Sequence, residues 1–284
     1  MKNIVVIPNP SKDKNLSVSA KLSEKLISLG LKVFADAEFS YALPSEVIAY
    51  EELPVNVDLI MVIGGDGSVI EASRFAIERD VPLLGINLGK VGYLSEVEPD
   101  NIDVLDGLVK GEYRIEEKML LSAESKNGSF THISERFAVN DVVISHSDFL
   151  GISDFTVENS HGDCVKYRAD GLVVATPAGS TAYSLSAGGP IISHNLDCVI
   201  VTPVCPHSFF NRSIIFGAEE CLKITNVGES DLSISVDGRC FSFMKKNDSC
   251  RIFCAEKRLK MVTFSKDNMF STLFRKMRIL EDIK

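Results

Sequence analysis

Over the first 110 residues, short apolar runs alternate with segments of helical period. Asn3 to Pro8, Leu31 to Phe34, Leu59 to Ile63 and Val81 to Ile86 read as buried strands. Leu16 to Leu29, closed by Gly30, and Ser68 to Arg79 read as helices. That alternation predicts an α/β layer around a parallel, Rossmann-like sheet. From Tyr113 to Phe264 the chain turns to short β-rich runs punctuated by Gly, Asn and Asp: Phe137 to Ser145, Ile152 to Glu158, Val165 to Ala169, Leu172 to Ala175, Val199 to Val201, Leu232 to Val236, Arg251 to Cys254 and Leu259 to Phe264. A second, mostly β and sandwich-like domain is expected there. In the tail, Met269, Phe270, Leu273, Phe274, Met277 and Leu280 recur at helical spacing, so a helix there should dock an apolar face, here assigned to the first domain. The expected division is 1–110, 111–265 and a terminal helix at 266–284.

Composition narrows the class. With 284 residues, 45% of them hydrophobic, the chain can bury a sizeable core in one large or two ordinary domains. A net charge of −9 argues against a nucleic-acid or membrane-surface binder, so any anionic ligand must be met by local groups. Only Ile4 to Ile7 precede Pro8 as an apolar run, too few for a signal peptide, and no run approaches the roughly 18 residues of a membrane span. The seven cysteines include no Cys-x-x-Cys; Cys250 and Cys254 share a strand face with no second pair to complete a zinc site. Reduced thiols in the cytoplasm are the expectation. His132, His146, His161, His194 and His207 are dispersed and are assigned no catalytic part.

Three stretches carry chemistry. In the first, a strand ends in Gly64-Gly65-Asp66-Gly67 and feeds a helix, which presents backbone N–H groups to an anion such as a phosphate. No Gly-Lys-Ser/Thr follows, so it is not a Walker loop; Ile70 stands where a dinucleotide fingerprint needs its third glycine. The plain alternative is a tight turn with Asp66 capping the helix. A carboxylate among phosphate-binding amides repels its ligand unless it binds a metal or takes a proton, which points to phosphoryl chemistry. The second stretch, Gly85 to Glu96, also leaves a buried strand for a glycine-bearing loop, so both loops should open at one sheet edge, unless Gly85, Gly89 and Gly92 merely shape a turn.

The third stretch runs from Tyr167 to Pro190. Asp170-Gly171 is a turn, Pro177 to Gly179 another, and Ser180 to Ala187 a helix start with Ser180, Thr181 and Ser184 crowding hydroxyls and Tyr183 offering a ring. It suits a sugar-phosphate, or else Ser180 is simply an N-cap.

These segments, in order, resemble the bacterial NAD kinase family: Gly64-Gly65-Asp66-Gly67, Gly85-Ile86-Asn87 with Gly92-Tyr93-Leu94, Val139-Asn140-Asp141, Asp170-Gly171, Thr176 through Tyr183 and Gly188-Gly189-Pro190. The first motif is shared with diacylglycerol and sphingosine kinases and phosphofructokinases; the segment around Thr181-Ala182-Tyr183 is more specific. The resemblance implies ATP-dependent phosphorylation of the 2′-hydroxyl of NAD's adenosine ribose, with Asp66 as general base and Gly67 against the dinucleotide. It implies Asn140 and Asp141 on ribose hydroxyls and the adenine side, Arg168 and Asp170 around the second ribose and nicotinamide, and Thr181, Ala182, Tyr183, Ser184 and Ser186 along the NAD. Arg239 stands where the family often has glutamine, in a position near the ligand. Gly64, Gly65, Gly67, Ser68 and Asn87 would meet the ATP phosphates, with Mg²⁺ or another divalent cation carried in on ATP. The family's homodimers or homotetramers are expected, with no nucleic-acid or membrane partner.

Departures from the family pattern are Ser68, Tyr93, Asp141 for the more frequent glutamate, Ala178 where Thr or Ser is common, and Arg239. None removes a group the chemistry requires. Read without the resemblance, Asn140-Asp141 is equally a strand-end Asx turn. Two rivals remain at this level: a lipid kinase of the diacylglycerol type, and a non-catalytic NAD sensor that could dispense with Asp66.

Overall fold

The computed structural model describes residues 1–49, 56–89, 92–125, 136–146, 151–264 and residue 273. The chain divides into two compact units, Met1–Glu117 with Leu259–Lys284, and Lys118–Arg258. The terminal helix anticipated at 268–280 lies outside the described residues except for Leu273, which is helical and buried, and so does His132.

The first unit is the α/β layer. Its elements are β1 (Asn3–Pro8), α1 (Ser17–Ser28), β2 (Lys32–Asp36), β3 (Glu46–Ile48), β4 (Leu59–Gly64), α2 (Asp66–Arg79), β5 (Leu83–Asn87) and α3 (Asp106–Lys110). The strands run parallel in the order β5, β4, β1, β2, β3. Every residue of β4 and β5 is buried, as expected of parallel strands covered on both faces. Helix α1 begins one residue later than its pattern suggests, because Asn15 and Leu16 take left-handed φ (56° and 54°) while the Asp13 carboxylate accepts from Val18 N and Ser19 N. It buries Leu22 and Leu26 against the sheet, burial that contributes about 1.5–3 kcal/mol per side chain.

The second unit contains β6 (Arg114–Ser125, entering from the first), β7 (Phe137–Ala138), β8 (Asp141–His146), β9 (Ser153–Glu158), β10 (Cys164–Ala169), β11 (Gly171–Ala175), α4 (Tyr183–Ser186), β12 (Cys198–Val204), β13 (Ile214–Gly217), β14 (Cys221–Asn226), β15 (Leu232–Val236), β16 (Arg239–Met244) and β17 (Ser249–Thr263, returning to the first). An antiparallel sheet of order β13, β12, β11, β8, β15, β16 faces strands β10, β9, β14 and β17 across one core, in which Val142, Ile144, Leu172 and Val174 meet Phe155, Tyr167, Ile224 and Ile252. That is the expected β-sandwich.

Three expectations need correction. The run from Phe137 to Ser145 is two strands, parted at Val139 and Asn140. Arg251 to Cys254 and Leu259 to Thr263 belong to one long strand, β17, which stops one residue short of Phe264; the charged Glu256-Lys257-Arg258 between them simply stays in the strand. The helix at Ser180 to Ala187 does not form as one piece. A single 3₁₀ turn, Gly179–Thr181, is followed by a break at Ala182 (φ −99°, ψ −127°) and the four-residue α4. Too short to sum a useful dipole, α4 is no anion site in its own right.

Candidate functional site

In the first unit β4 and β5 are adjacent and parallel, so the loops that follow them emerge at the same sheet edge. Helix α2 starts two residues earlier than its apolar period suggests: extended Gly65 is the N-cap and Asp66 the first helical residue. Asp66 therefore does not cap its own helix. Its carboxylate turns to the second glycine loop, where Oδ2 accepts from Tyr93 N at 2.7 Å and Oδ1 from Leu94 N at 3.0 Å. Each oxygen keeps a lone pair free, and the two amides fix the plane of the group. The half-buried Tyr93 phenol is pushed up by desolvation and then by the charge of Asp66.

The glycines of the second loop sit in tight packing. A methyl on Gly85 would stand 3.0 Å from Val69 Cγ2 and Ser95 Cα, and one on Gly92 3.1 Å from the Asn87 amide. A methyl on Gly67 would meet nothing within 4 Å, so this glycine leaves an open face at the start of α2. Asn87 is buried; its Nδ2 donates to Glu98 Oε1 at 3.0 Å and its Oδ1 accepts from Gly89 N at 2.9 Å, so its side chain shapes the loop. Ser68 Oγ accepts from Asn9 Nδ2 at 2.7 Å. Lys90 and Val91 of this loop lie outside the described residues.

The second unit gathers a different cluster. The Val139-Asn140 bend is pinned by Asp237, whose Oδ2 accepts from Val139 N at 2.7 Å and whose Oδ1 accepts from Asn140 N at 2.9 Å and Asp141 N at 3.1 Å. Asp237 and Gly238 form the two-residue hairpin turn between β15 and β16, both with positive φ (47° and 78°). Thr176 closes the bend from the other side: its Oγ1 donates to Val139 O at 2.6 Å and accepts from Gly179 N at 3.0 Å. Gly179 packs so tightly on Asn140 that a Cβ would fall on the Asn140 carbonyl. The half-buried side-chain amide of Asn140 makes no hydrogen bond among the described residues. Asp141 is only 6% exposed, and desolvation, then the neighbouring Asp237 charge, push its carboxyl up to about 7.

The remaining expected residues divide by exposure. Arg168 and Ser186 are exposed, as is Tyr183, while Thr181 and Ala182 are half-buried. Asp170 Oδ1 stands 3.9 Å from His207 Nε2, one of the histidines for which no catalytic part is expected. Ser184 is fully buried with its hydroxyl 3.0 Å from Thr202 Oγ1, and Ser180 is buried, donating to Pro177 O and accepting from Ile192 N. Both staple the segment from beneath, and Ser180 is not an N-cap. Arg239 opens β16 and is exposed. Asp237 is a structuring residue that the sequence pattern does not single out, although Asp-Gly between apolar alternations is a strong hairpin signal. Among the described residues no group of three His, Cys, Asp or Glu could hold a metal, and no helix is long and apolar enough to cross a membrane.

A parallel α/β layer with a carboxylate in its glycine loop, joined in one chain to a β-sandwich with a bend pinned by Asp237, offers the groups a nucleotide phosphotransferase needs. Family comparison makes it specific. Residues 4–113 match the ATP-NAD kinase N-terminal domain and residues 139–264 the ATP-NAD kinase C-terminal domain. The NAD kinase of Geotalea daltonii is 33% identical over 282 residues, covering 98% of this chain and 99% of that protein; the NAD kinase of Lachnoclostridium phytofermentans is 34% identical, covering 96% and 98%. Among solved structures, yeast NADH kinase complexed with NADH superposes with a TM-score of 0.85 at 20% identity (98% and 88% covered), and an NAD kinase from Archaeoglobus fulgidus in complex with ATP with 0.76 at 24% (98% and 99%). The chain belongs to the ATP-NAD kinase family. The lipid-kinase alternative is not favoured.

Proposed function

We propose that this NAD kinase, which transfers the γ-phosphoryl group of ATP to the 2′-hydroxyl of NAD's adenosine ribose to give NADP, uses Asp66 as its general base. The 2′-oxygen bonds to the γ-phosphorus as the bond from phosphorus to the β–γ bridging oxygen breaks. ADP departs with that electron pair, and the hydroxyl proton passes to Asp66. A secondary alcohol is a very weak acid, so the carboxylate orients it and takes its proton late, for a contribution of about 10²- to 10⁴-fold. The observation that supports this most is the pair of amides, Tyr93 N and Leu94 N, that hold Asp66 in one plane at the head of a 14-residue helix.

The other roles follow from exposure and hydrogen-bonding capacity. Main-chain amides of Gly64, Gly65 and Gly67 and the first turn at Ser68 take the ATP phosphates, with Asn87 holding the neighbouring loop in shape. Asn140 and Asp141 bind the ribose diol; Arg168, Asp170, Thr181, Ala182, Tyr183, Ser186 and Arg239 line the rest of the dinucleotide, and Ser184 supports their backbone. A magnesium ion carried in on ATP would be held mainly by the triphosphate and water, with Asp66 the carboxylate nearest the phosphate loop. Such a cation neutralises charge on the β- and γ-phosphate oxygens when bound. We assign the enzyme to the cytoplasm as a homodimer or homotetramer, which a sizing measurement checks.

The deciding experiment is Asp66→Asn assayed with NAD, ATP and Mg²⁺. NAD binding should persist while NADP formation falls about 10²- to 10⁴-fold. Ordinary turnover by the variant refutes the base assignment.

A further inference from the structure

We propose that Lys12 is the side-chain cation that receives the triphosphate over the glycine loop; the proposal rests on the phosphate reading of Gly64 to Gly67. The enzyme carries a net charge of −9, and Asp66 adds a carboxylate at the loop itself, so a polyanion needs a local positive charge beyond backbone amides. Lys12 supplies it from the loop that leaves β1.

That loop is built to point inward over α2. Asn9 N donates to Ile63 O at 2.9 Å, and Asn9 O accepts from Lys12 N at 3.0 Å and Asp13 N at 2.9 Å, which closes a tight turn. Asn9 Oδ1 accepts from Ser11 N at 3.1 Å, and Asn9 Nδ2 donates to Ser68 Oγ at 2.7 Å, tying the turn to the first turn of α2. From this anchor the Lys12 ammonium lies over Gly65, in the space a Cβ there would take, and 3.8 Å from where a Gly89 Cβ would stand. The two glycine loops meet beneath it, since a Gly89 Cβ would also lie 3.9 Å from Gly65 Cα.

Lys12 is exposed and makes no ion pair among the described residues. Its sequence neighbour Asp13 is buried, with its carboxylate spent on Val18 N, Ser19 N and Ser19 Oγ at the start of α1. A strongly hydrated point charge on a flexible stem, held over two side-chain-free loops, suits a phosphate chain that arrives and leaves every turnover.

Steady-state kinetics of Lys12→Ala, Lys12→Gln and Lys12→Arg test this, with inorganic tripolyphosphate as a competitor that carries the charge but no nucleoside. KM for ATP and the tripolyphosphate inhibition constant should both rise about tenfold in the Ala and Gln variants, with Arg recovering most of the loss and KM for NAD staying within about twofold. Equal ATP KM and inhibition constants in Lys12→Ala and the wild type overturn the proposal. Gly67→Val, which puts a side chain into open space on the loop, separates the two levels. If it leaves ATP KM unchanged the phosphate reading of the loop fails; if it raises ATP KM while Lys12→Ala does nothing, only the assignment of Lys12 fails.

Discussion

Asp66 in the first unit and Asp141 in the second are both carboxylates at turns where buried strands give way to loops, and their surroundings treat them oppositely. The side chain of Asp66 receives two amide hydrogens from the next loop and stays half open to solvent. Asp141 gives its own amide to Asp237, while its carboxyl receives no donor from the described residues and is sealed to 6% exposure beside a second carboxylate. The first arrangement orients a charge. The second opposes one, and holds the carboxyl near neutrality, where it both donates and accepts hydrogen bonds. A ribose diol offers and needs both.

The largest effect that could break this contrast is on turnover. Asp66→Asn should lower kcat about 10²- to 10⁴-fold, whereas Asp141→Asn, which keeps a donor and an acceptor, should change kcat by less than about tenfold and act mainly on KM for NAD. Equal losses of kcat in the two variants would erase the distinction between a base and a binding group. Next in size is Asp237→Ala, which strips the acceptor from three amides at the Val139–Asp141 bend; at about 1–3 kcal/mol per orphaned group, the variant should lose at least about 3 kcal/mol in denaturant unfolding. A loss below 1 kcal/mol would mean that water replaces Asp237 freely.

How much of this was written in the pattern of residues depends on the range of the forces involved. Strand β1 matches its apolar run residue for residue, because a strand covered on both faces needs only local hydrophobicity. The glycine loop was legible for a similar reason: a run of glycines at the end of a buried strand marks a strand-to-helix turn from local residues alone. The break at Val139 and Asn140 was not legible, since what interrupts the ladder is Asp237, nearly a hundred positions away. Lys12 and Asn9 were invisible as site residues because their role depends on a turn folding back onto Ser68. The helix expected at Ser180 failed where Ser180 and Ser184 spend their hydroxyls on tertiary partners, Ile192 and Thr202, and the backbone follows those anchors instead of the helical period.

The effect that is smallest per step of the measurement, about 1.4 kcal/mol for each pH unit, gives the sharpest reading of the contrast, because it isolates the environment of Asp141 from catalysis. Its folded carboxyl titrates near 7, well above the ordinary 3.8 it has in the unfolded chain, so between those values the folded enzyme holds a proton that the unfolded chain has released. The contribution to stability is therefore greatest at low pH, declines as pH rises toward 7 and is flat above it. Asp141→Asn removes that dependence and should gain on the wild type across the same interval, by about 1.4 kcal/mol for each pH unit of separation between the folded and unfolded pKa. Urea melts of both proteins at pH 5, 6, 7 and 8 measure it. A stability difference that stays constant across the series, or that grows in favour of the wild type, would show that Asp141 is charged in the fold, and that the two carboxylates are treated alike after all.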